Sequence, residues 1–250
     1  MIEVKNLCKS FDGRQVLDNV NVTFEKGKTN LVIGGSGSGK TVMVKCLVGL
    51  YPIDSGQIIY DGRDVSTMDD QEHRALRQEM GMVFQAGALF DSQTVEENVA
   101  FPLRMFSNAG PSEIADRVDF CLNRVNLPNA HNFFPSQLSG GMKKRVAIAR
   151  AIALNPRYLF CDEPNSGLDP KTSIVIDNLI REITQEFEIT TVINTHDMNS
   201  VLEIGDKILY LFKGQKWWEG TSEDLLKTDN PEVSNFVYAS ELFKRIRQSS

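Results

Sequence analysis

Two stretches, far apart in the chain, carry the residue types that hold phosphate. The first, "GGSGSGKT" at 34–41, fits the spacing G-x-x-x-x-G-K-[ST] through Gly34, Gly39, Lys40 and Thr41. It follows an apolar strand, "NLVI", and opens a helix. Across Gly34, Gly35, Ser36, Gly37, Ser38 and Gly39 the backbone is nearly bare. The N–H groups of Gly37, Gly39 and Lys40 can therefore face an anion. Lys40 reaches β- and γ-phosphates, and the Thr41 hydroxyl can ligate Mg²⁺. A plain flexible turn has no need of Lys-Thr at a helix start. The second stretch, "QLSGGMKKRVAIARA" at 137–151, leaves the N–H groups of Ser139, Gly140 and Gly141 bare at another helix start. One small chain thus presents two turns that face phosphate.

Acid–base chemistry has its own candidates. "RYLFCDEP" reads as a buried strand ending in Asp162 and Glu163. Asp162 suits a metal partner, and Glu163 suits a general base on an attacking water. "VINTHD" puts His196 at another strand end. In open α/β sheets, ligands bind at the carboxyl edge where such ends gather.

These residues must be positioned by a layered fold. "MIEVKNL", "NVNVTFEKG" and "KTNLVIG" read as strands, and the alternation in "VNVTF" marks a half-buried antiparallel one. A helix is predicted from Gly39 through "KTVMVKCLVGL", ending near Gly49 and Pro52. "GQIIYDGRDV" reads as strand, turn, strand, and 86–155 is mostly helical apart from the loop after Gln85. From residue 157 strands and helices alternate, which implies a parallel sheet covered by helices. An amphipathic helix is expected at 228–250.

Composition bounds the class. The chain has 250 residues, 41% hydrophobic and 24% charged, values of a globular domain. Net charge is −6 and the pI is near 5.2, which argues against general nucleic-acid binding. Cys8, Cys46, Cys121 and Cys161 show no metal-binding spacing and read as reduced thiols. No apolar run reaches the ~18 residues of a spanning helix, and the start has no signal-peptide core. The expectation is a soluble intracellular protein that meets a membrane only through a partner.

Together the stretches closely resemble the ATP-binding cassette (ABC) ATPases over nearly the whole chain. "GGSGSGKT" resembles Walker A, "YLFCDE" Walker B and "LSGGM" the family signature. Gln85 matches the Q-loop, "SGLD" at 166–169 with Asp169 the D-loop, and His196 the H-loop. Phe11 stands where the family stacks adenine, with Val16 beside the nucleotide. The resemblance implies an α/β P-loop NTPase: a RecA-like parallel-sheet core, an antiparallel β subdomain and a helical subdomain at about 86–155, all within a single domain, 1–250. It implies ATP and Mg²⁺, with Thr41, Gln85 and Asp162 toward the metal and Glu163, His196, Gln85 and Lys40 in catalysis. It also explains the two turns. Two cassettes pack head to tail, and each nucleotide lies between Walker A of one and Ser139–Gly141 of the other. The chain is therefore expected as a homodimer.

One departure is Met142, where the signature commonly ends in Gln, so a side-chain polar contact is lost there. "FQAGALF", "NVAFPLR" and "LSGGM" resemble the ATPases of Mla/Mce-type lipid transporters. That branch implies phospholipid transport between inner membrane and outer envelope, an integral-membrane permease, an MCE-domain lipid-binding protein and a place on the cytoplasmic face of the inner membrane. The alternative is an importer ATPase for a small polar solute such as an amino acid. Ala88, Leu89, Phe90, Val99 and Phe101 would form the groove for the permease, or ordinary core. Lys143, Lys144 and Arg145 could favour a triphosphate, but read first as a solvated helix face. Trp217 and Trp218 either mark a contact surface or pack on the sheet. DNA-repair ABC proteins need a coiled-coil insertion, and a GTPase needs N-K-x-D; the sequence has neither.

Overall fold

The computed structural model describes residues 1–238. The chain opens with an antiparallel hairpin, β1 (Ile2–Phe11) and β2 (Arg14–Phe24), turned at Asp12 and Gly13, both with positive φ. β3 (Thr29–Ile33) leaves that layer, and α1 (Lys40–Leu47) follows the glycine turn. β4 (Ser55–Tyr60) and β5 (Arg63–Asp64) return to complete a four-stranded antiparallel sheet in the order β2-β1-β4-β5. α2 (Asp70–Gln78) begins with a capping box, in which Asp69 and Glu72 satisfy each other's backbone N–H. β6 (Met80–Val83) comes next.

Between 86 and 155 lie α3 (Val95–Phe106), α4 (Pro111–Arg124) and α5 (Gly140–Ile152). β7 (Tyr158–Asp162), α6 (Pro170–Glu186), β8 (Thr190–Asn194), α7 (Met198–Ile204), β9 (Lys207–Phe212) and β10 (Gln215–Gly220) then alternate. α8 (Ser222–Lys227) and α9 (Pro231–Val237) close the described chain. The helix expected from 228 begins instead at Pro231, because Thr228 is extended and the Asn230 side chain caps the Glu232 and Val233 amides. Residues 239–250 of that expectation lie outside the described residues.

The second sheet has the order β10-β9-β3-β8-β7-β6. Its pairs from β9 through β6 are parallel, and β10 is antiparallel to β9. β3 and β8 are buried along their whole length, as a sheet covered on both faces requires. Side chains alternate between two cores. Val32, Phe160, Val192 and Leu209 pack toward the first sheet and α1, while Leu31, Leu159, Cys161 and Ile193 pack toward α5 and α6. Among the described residues no helix is long and apolar enough to cross a membrane.

The topology gathers the functional candidates. Parallel β3, β8, β7 and β6 lie side by side, so their carboxyl ends bring the 34–41 turn, Asn194, Asp162 and Gln85 to one edge.

Candidate nucleotide site

The 34–41 turn owes its shape to close approach. A Cβ on Gly34, at φ +150°, would sit 2.3 Å from the Leu211 carbonyl oxygen. One on Gly39, at φ +105°, would sit 2.8 Å from the Leu17 side chain and 3.0 Å from the Val16 carbonyl oxygen. Val16 therefore braces the turn through its backbone. Gly39 leads into α1, whose first residue is Lys40. Lys40 Nζ donates to the carbonyls of Gly34 at 2.8 Å and Gly35 at 3.0 Å. Burial lowers its pKa, against the pull of the Glu163 and Asp162 charges. The Ser38 hydroxyl is buried without a partner. A buried ammonium held only by carbonyls, next to an orphaned hydroxyl, fits a phosphate.

The metal candidates are joined by a residue that the sequence reading missed. Asn194 Nδ2 donates to Asp162 Oδ1 at 2.6 Å and to Thr41 Oγ1 at 3.1 Å. Its own Oδ1 is buried and unpartnered. One carboxylate and one hydroxyl suit Mg²⁺, which keeps waters and takes the rest of its shell from phosphate. Among the described residues no three His, Cys, Asp or Glu side chains converge as an all-protein metal cage. The signal for Asn194 was present: an amide at the end of the β-branched run "TTVI".

Glu163 sits between two partners. His196 Nδ1 lies 3.0 Å from Oε1, and Gln85 Nε2 donates to Oε2 at 3.1 Å. Gln85 also donates to Ser166 Oγ at 3.2 Å. Its amide nitrogen is thus committed to Glu163 and the following turn, and a metal contact falls to the amide oxygen. The backbone of Glu163 is left-handed, at φ +47°, and its N–H donates to the Asn194 carbonyl at 2.9 Å. A non-glycine residue holds that conformation only where its surroundings enforce it.

Two basic residues behind the site correct the expectation of a solvated face. Lys144 is 6% exposed; its Nζ donates to the Gln85 carbonyl, and burial lowers its pKa. Arg145 reaches the carbonyls of Val125 and Asn126, with its pKa also lowered by burial. α5 lies between the sheet and its neighbouring helices, so these side chains turn to loop carbonyls instead of water.

Ser139 is the N-cap of α5, and its Oγ accepts the Met142 N–H at 3.2 Å. The Met142 N–H, next to the three expected to be bare, is therefore occupied by Ser139 itself. Gly141 is required by packing, since a Cβ there would lie 2.6 Å from Thr172 Cγ2. A Cβ on Gly140 would meet Leu168 at 3.4 Å. Asp169 caps α6, accepting from the Thr172 N–H at 3.0 Å and the Thr172 hydroxyl at 2.5 Å. The signature thus abuts the start of α6. Phe11 ends β1 and is 37% exposed, edge-on to Tyr51 with centroids 5.1 Å apart.

A separate cleft of about 370 Å³ opens beside the Gln85 loop, lined by Met80, Phe84, Ala88, Phe90, Phe101 and Phe106 among others. Val99 is fully buried in the core and Leu89 packs against that core, so neither lines the cleft as expected. Trp218 packs on the core, whereas Trp217 is 44% exposed against Phe212.

A glycine turn, a buried lysine, a carboxylate at the next strand end but one and a glutamate beside it define a P-loop nucleoside-triphosphatase fold. Residues 17–166 match the ABC transporter family, and the chain belongs to it. The intermembrane phospholipid transport ATP-binding protein MlaF of Haemophilus influenzae is 40% identical over 238 residues, 95% of this chain and 90% of that protein. The probable ribonucleotide transport ATP-binding protein mkl of Mycobacterium tuberculosis is 39% identical over 94% of this chain, which spans 66% of that relative, just under two thirds of its length. The methionine import ATP-binding protein MetN of Clostridium acetobutylicum is 38% identical over 241 residues, 96% of this chain and 75% of that protein. Among solved structures, the dimeric ABC transporter cassette MJ0796 superposes with a TM-score of 0.80 at 34% identity, covering 89% of this chain and 99% of that one. CbiO1 of Clostridium perfringens, part of the cbiONQ transporter complex, superposes with a TM-score of 0.85 at 29% identity, covering 99% and 97%.

Proposed function

We propose that this chain is the ATP-hydrolysing subunit of a transporter that moves phospholipid between the inner membrane and the outer envelope. The observation that carries the hydrolytic reading is the placement of Glu163, between His196 and Gln85 and one residue from the Asp162–Asn194–Thr41 cluster. ATP enters with its phosphates over the 34–41 turn. Lys40 exchanges its carbonyl partners for phosphate oxygens. Thr41 and Asp162 would hold Mg²⁺, which offsets phosphate charge when bound. Glu163 takes the proton of the attacking water, and His196 orients the carboxylate. Phe11 stacks on the adenine, and Val16 supports the turn from below.

Ser139–Gly141 serve the nucleotide of a second copy, which makes the working unit a head-to-tail homodimer; the MJ0796 cassette dimer supports this reading. Asp169 and its turn then lie at the dimer interface. The apolar cleft beside Gln85 takes a segment of an integral-membrane permease, a helix-in-groove contact. This peripheral attachment puts the chain on the cytoplasmic face of the inner membrane. Likeness to MlaF supports a phospholipid cargo and an MCE-domain partner. Likeness to MetN, nearly as high, favours the second reading, import of a small polar solute such as an amino acid.

Affinity capture of the tagged chain from detergent-solubilised host membranes, with lipid analysis of the eluate, separates the two. A permease with an MCE-domain protein and bound phospholipid is the expected result. A permease with a soluble-substrate binding protein would retain the ATPase and overturn the lipid cargo.

A further inference from the structure

A cleft of about 700 Å³ lies between the turn after β7 and helices α6 and α7, with Glu163, Asn165, Asp177, His196 and Asp197 in its lining. Asn165 and Asp177 of its wall meet Ser200 behind it, three polar side chains that the hydrolytic scheme leaves unused. Asn165 Nδ2 donates to Asp177 Oδ1 at 2.6 Å and to Ser200 Oγ at 3.1 Å. Asn165 is 9% exposed, and Asp177 and Ser200 are each 2% exposed. They come from three separate elements: the turn, α6 and α7. Asn165 Oδ1 is buried with no partner at all. A buried carboxyl beside an orphaned amide oxygen costs stability, and a well-packed apolar trio would avoid that cost.

The backbone shows what this cluster holds. The Ser166 N–H donates to the Glu163 carbonyl at 3.1 Å, and the Leu168 N–H to the Asn165 carbonyl at 3.2 Å. Asn165 is therefore the joint between two successive turns, with left-handed Glu163 on one side and Asp169 on the other. On the far side of the cluster, α7 starts at Met198, right after His196 and its N-cap, Asp197. One side-chain amide thus ties the turn that carries Glu163 to the helix that follows His196.

We propose that Asn165, clamped between Asp177 and Ser200, is a positioning residue for hydrolysis that keeps Glu163 in register with His196. The inference rests on the reading of Glu163 as general base. Burial is the main reason that the Asp177 carboxyl is pushed up to about 6, with Asp197 and Glu203 adding to it and the Ser200 and Asn165 hydrogen bonds opposing it. Cys161, on neighbouring β7, is held as the neutral thiol by burial. The titratable Glu163, His196, Asp197 and Glu203 line the same cleft. Above about pH 6 the carboxylate takes the Asn165 N–H in a charge-assisted bond. Below it, the carboxylic acid needs an acceptor. Asn165 Oδ1 supplies one only if the amide turns over, which withdraws Nδ2 from both partners.

The test is steady-state ATP turnover by the full chain from about pH 5.5 to about 8.5, with KM for ATP measured alongside. Asn165→Ala and Asp177→Asn are each expected to lower kcat about 10-fold at pH 8 with KM within about 2-fold, and the double variant to lose no more than either single one. The wild-type curve should fall toward that of Asp177→Asn as pH drops below about 6, because the wild type then carries a neutral side chain there as well. An Asn165→Ala enzyme with wild-type kcat overturns the inference. So does a ratio of wild type to Asp177→Asn that stays constant with pH. If either variant fails to fold, Ser200→Ala, which leaves the Asn165–Asp177 bond in place, carries the test: about 3-fold lower kcat supports the clamp, and unchanged kcat overturns it. Glu163→Gln run in parallel separates the two claims. Normal turnover there removes the base itself. A silent Glu163→Gln beside fully active Asn165 and Ser200 variants removes only the positioning role.

Discussion

Asn194 and Asp162 face each other across the β7–β8 pair, and the Asn194 amide reaches both Asp162 Oδ1, at 2.6 Å, and Thr41 Oγ1, at 3.1 Å. One nitrogen therefore sets the spacing of the carboxylate and hydroxyl proposed to hold Mg²⁺. Replacing Asn194 by Leu keeps volume and removes the donor. Groups that orient metal ligands typically contribute 10- to 100-fold to metal affinity, so half-maximal hydrolysis should need at least about 10-fold more Mg²⁺. A Mg²⁺ titration of ATP turnover checks this. An unshifted midpoint would mean that Asn194 is only a strand cap.

Glu163→Gln keeps the shape and the hydrogen bond to His196 but cannot accept a proton from water. ATP should still bind, hydrolysis should fall by about 10²- to 10⁴-fold, and the chain should accumulate as an ATP-bound dimer. Single-turnover hydrolysis and sedimentation with Mg²⁺-ATP measure the two effects. Turnover at the wild-type rate would assign the base elsewhere.

Most of this arrangement could be read from the sequence because its parts are local. Gly34 and Gly39 announce themselves, since only glycine fits against Leu211 and Leu17, and Lys40 follows at the helix start. The half-buried antiparallel strand was visible in side-chain alternation, and the parallel sheet in the alternation of strands with helices. The unread parts depend on tertiary contacts. Asn194 and Asn165 look like ordinary turn or strand-end amides until β7, β8 and α7 bring their partners alongside. Lys144 looks solvated because its charge suggests water, yet α5 is enclosed and the Gln85 carbonyl receives it. Val99 sits in the same run as Phe101, but the helical period turns one inward and the other toward the cleft.

Ser139 has its hydrogen-bond partner, Met142, inside its own helix, and Gly141 abuts Thr172 at the start of α6. Its role toward nucleotide is proposed to be in trans, which a mixing experiment can read. Ser139→Arg and Lys40→Ala should each be inactive alone. In a mixed dimer, the Lys40 of one copy meets the Ser139 of the other and restores one site in two. Half of randomly paired dimers are mixed, so an equal mixture should recover about a quarter of wild-type turnover if sites act independently. No recovery would favour a signature that serves its own chain's nucleotide.

Asp177 makes a last prediction about stability, separate from turnover. Its folded pKa, about 6, stands above its unfolded value because burial disfavours the charged form. The folded chain therefore holds this proton more tightly than the unfolded one. That contribution is fully present below about pH 4 and is lost as pH rises through about 6, which lowers stability at neutral pH by roughly 2 to 3 kcal/mol. Asp177→Asn cannot ionise and escapes the loss. The hydrogen bonds that it weakens shift its stability by an amount that does not depend on pH. The difference in unfolding free energy between variant and wild type should therefore move in favour of the variant by about 2 kcal/mol between pH 4.5 and pH 7.5, measured by denaturant titration. A pH-independent difference would show that Asp177 titrates normally. The predicted outcome, a variant gaining relative stability where it loses activity, is what a buried carboxylate retained for positioning implies.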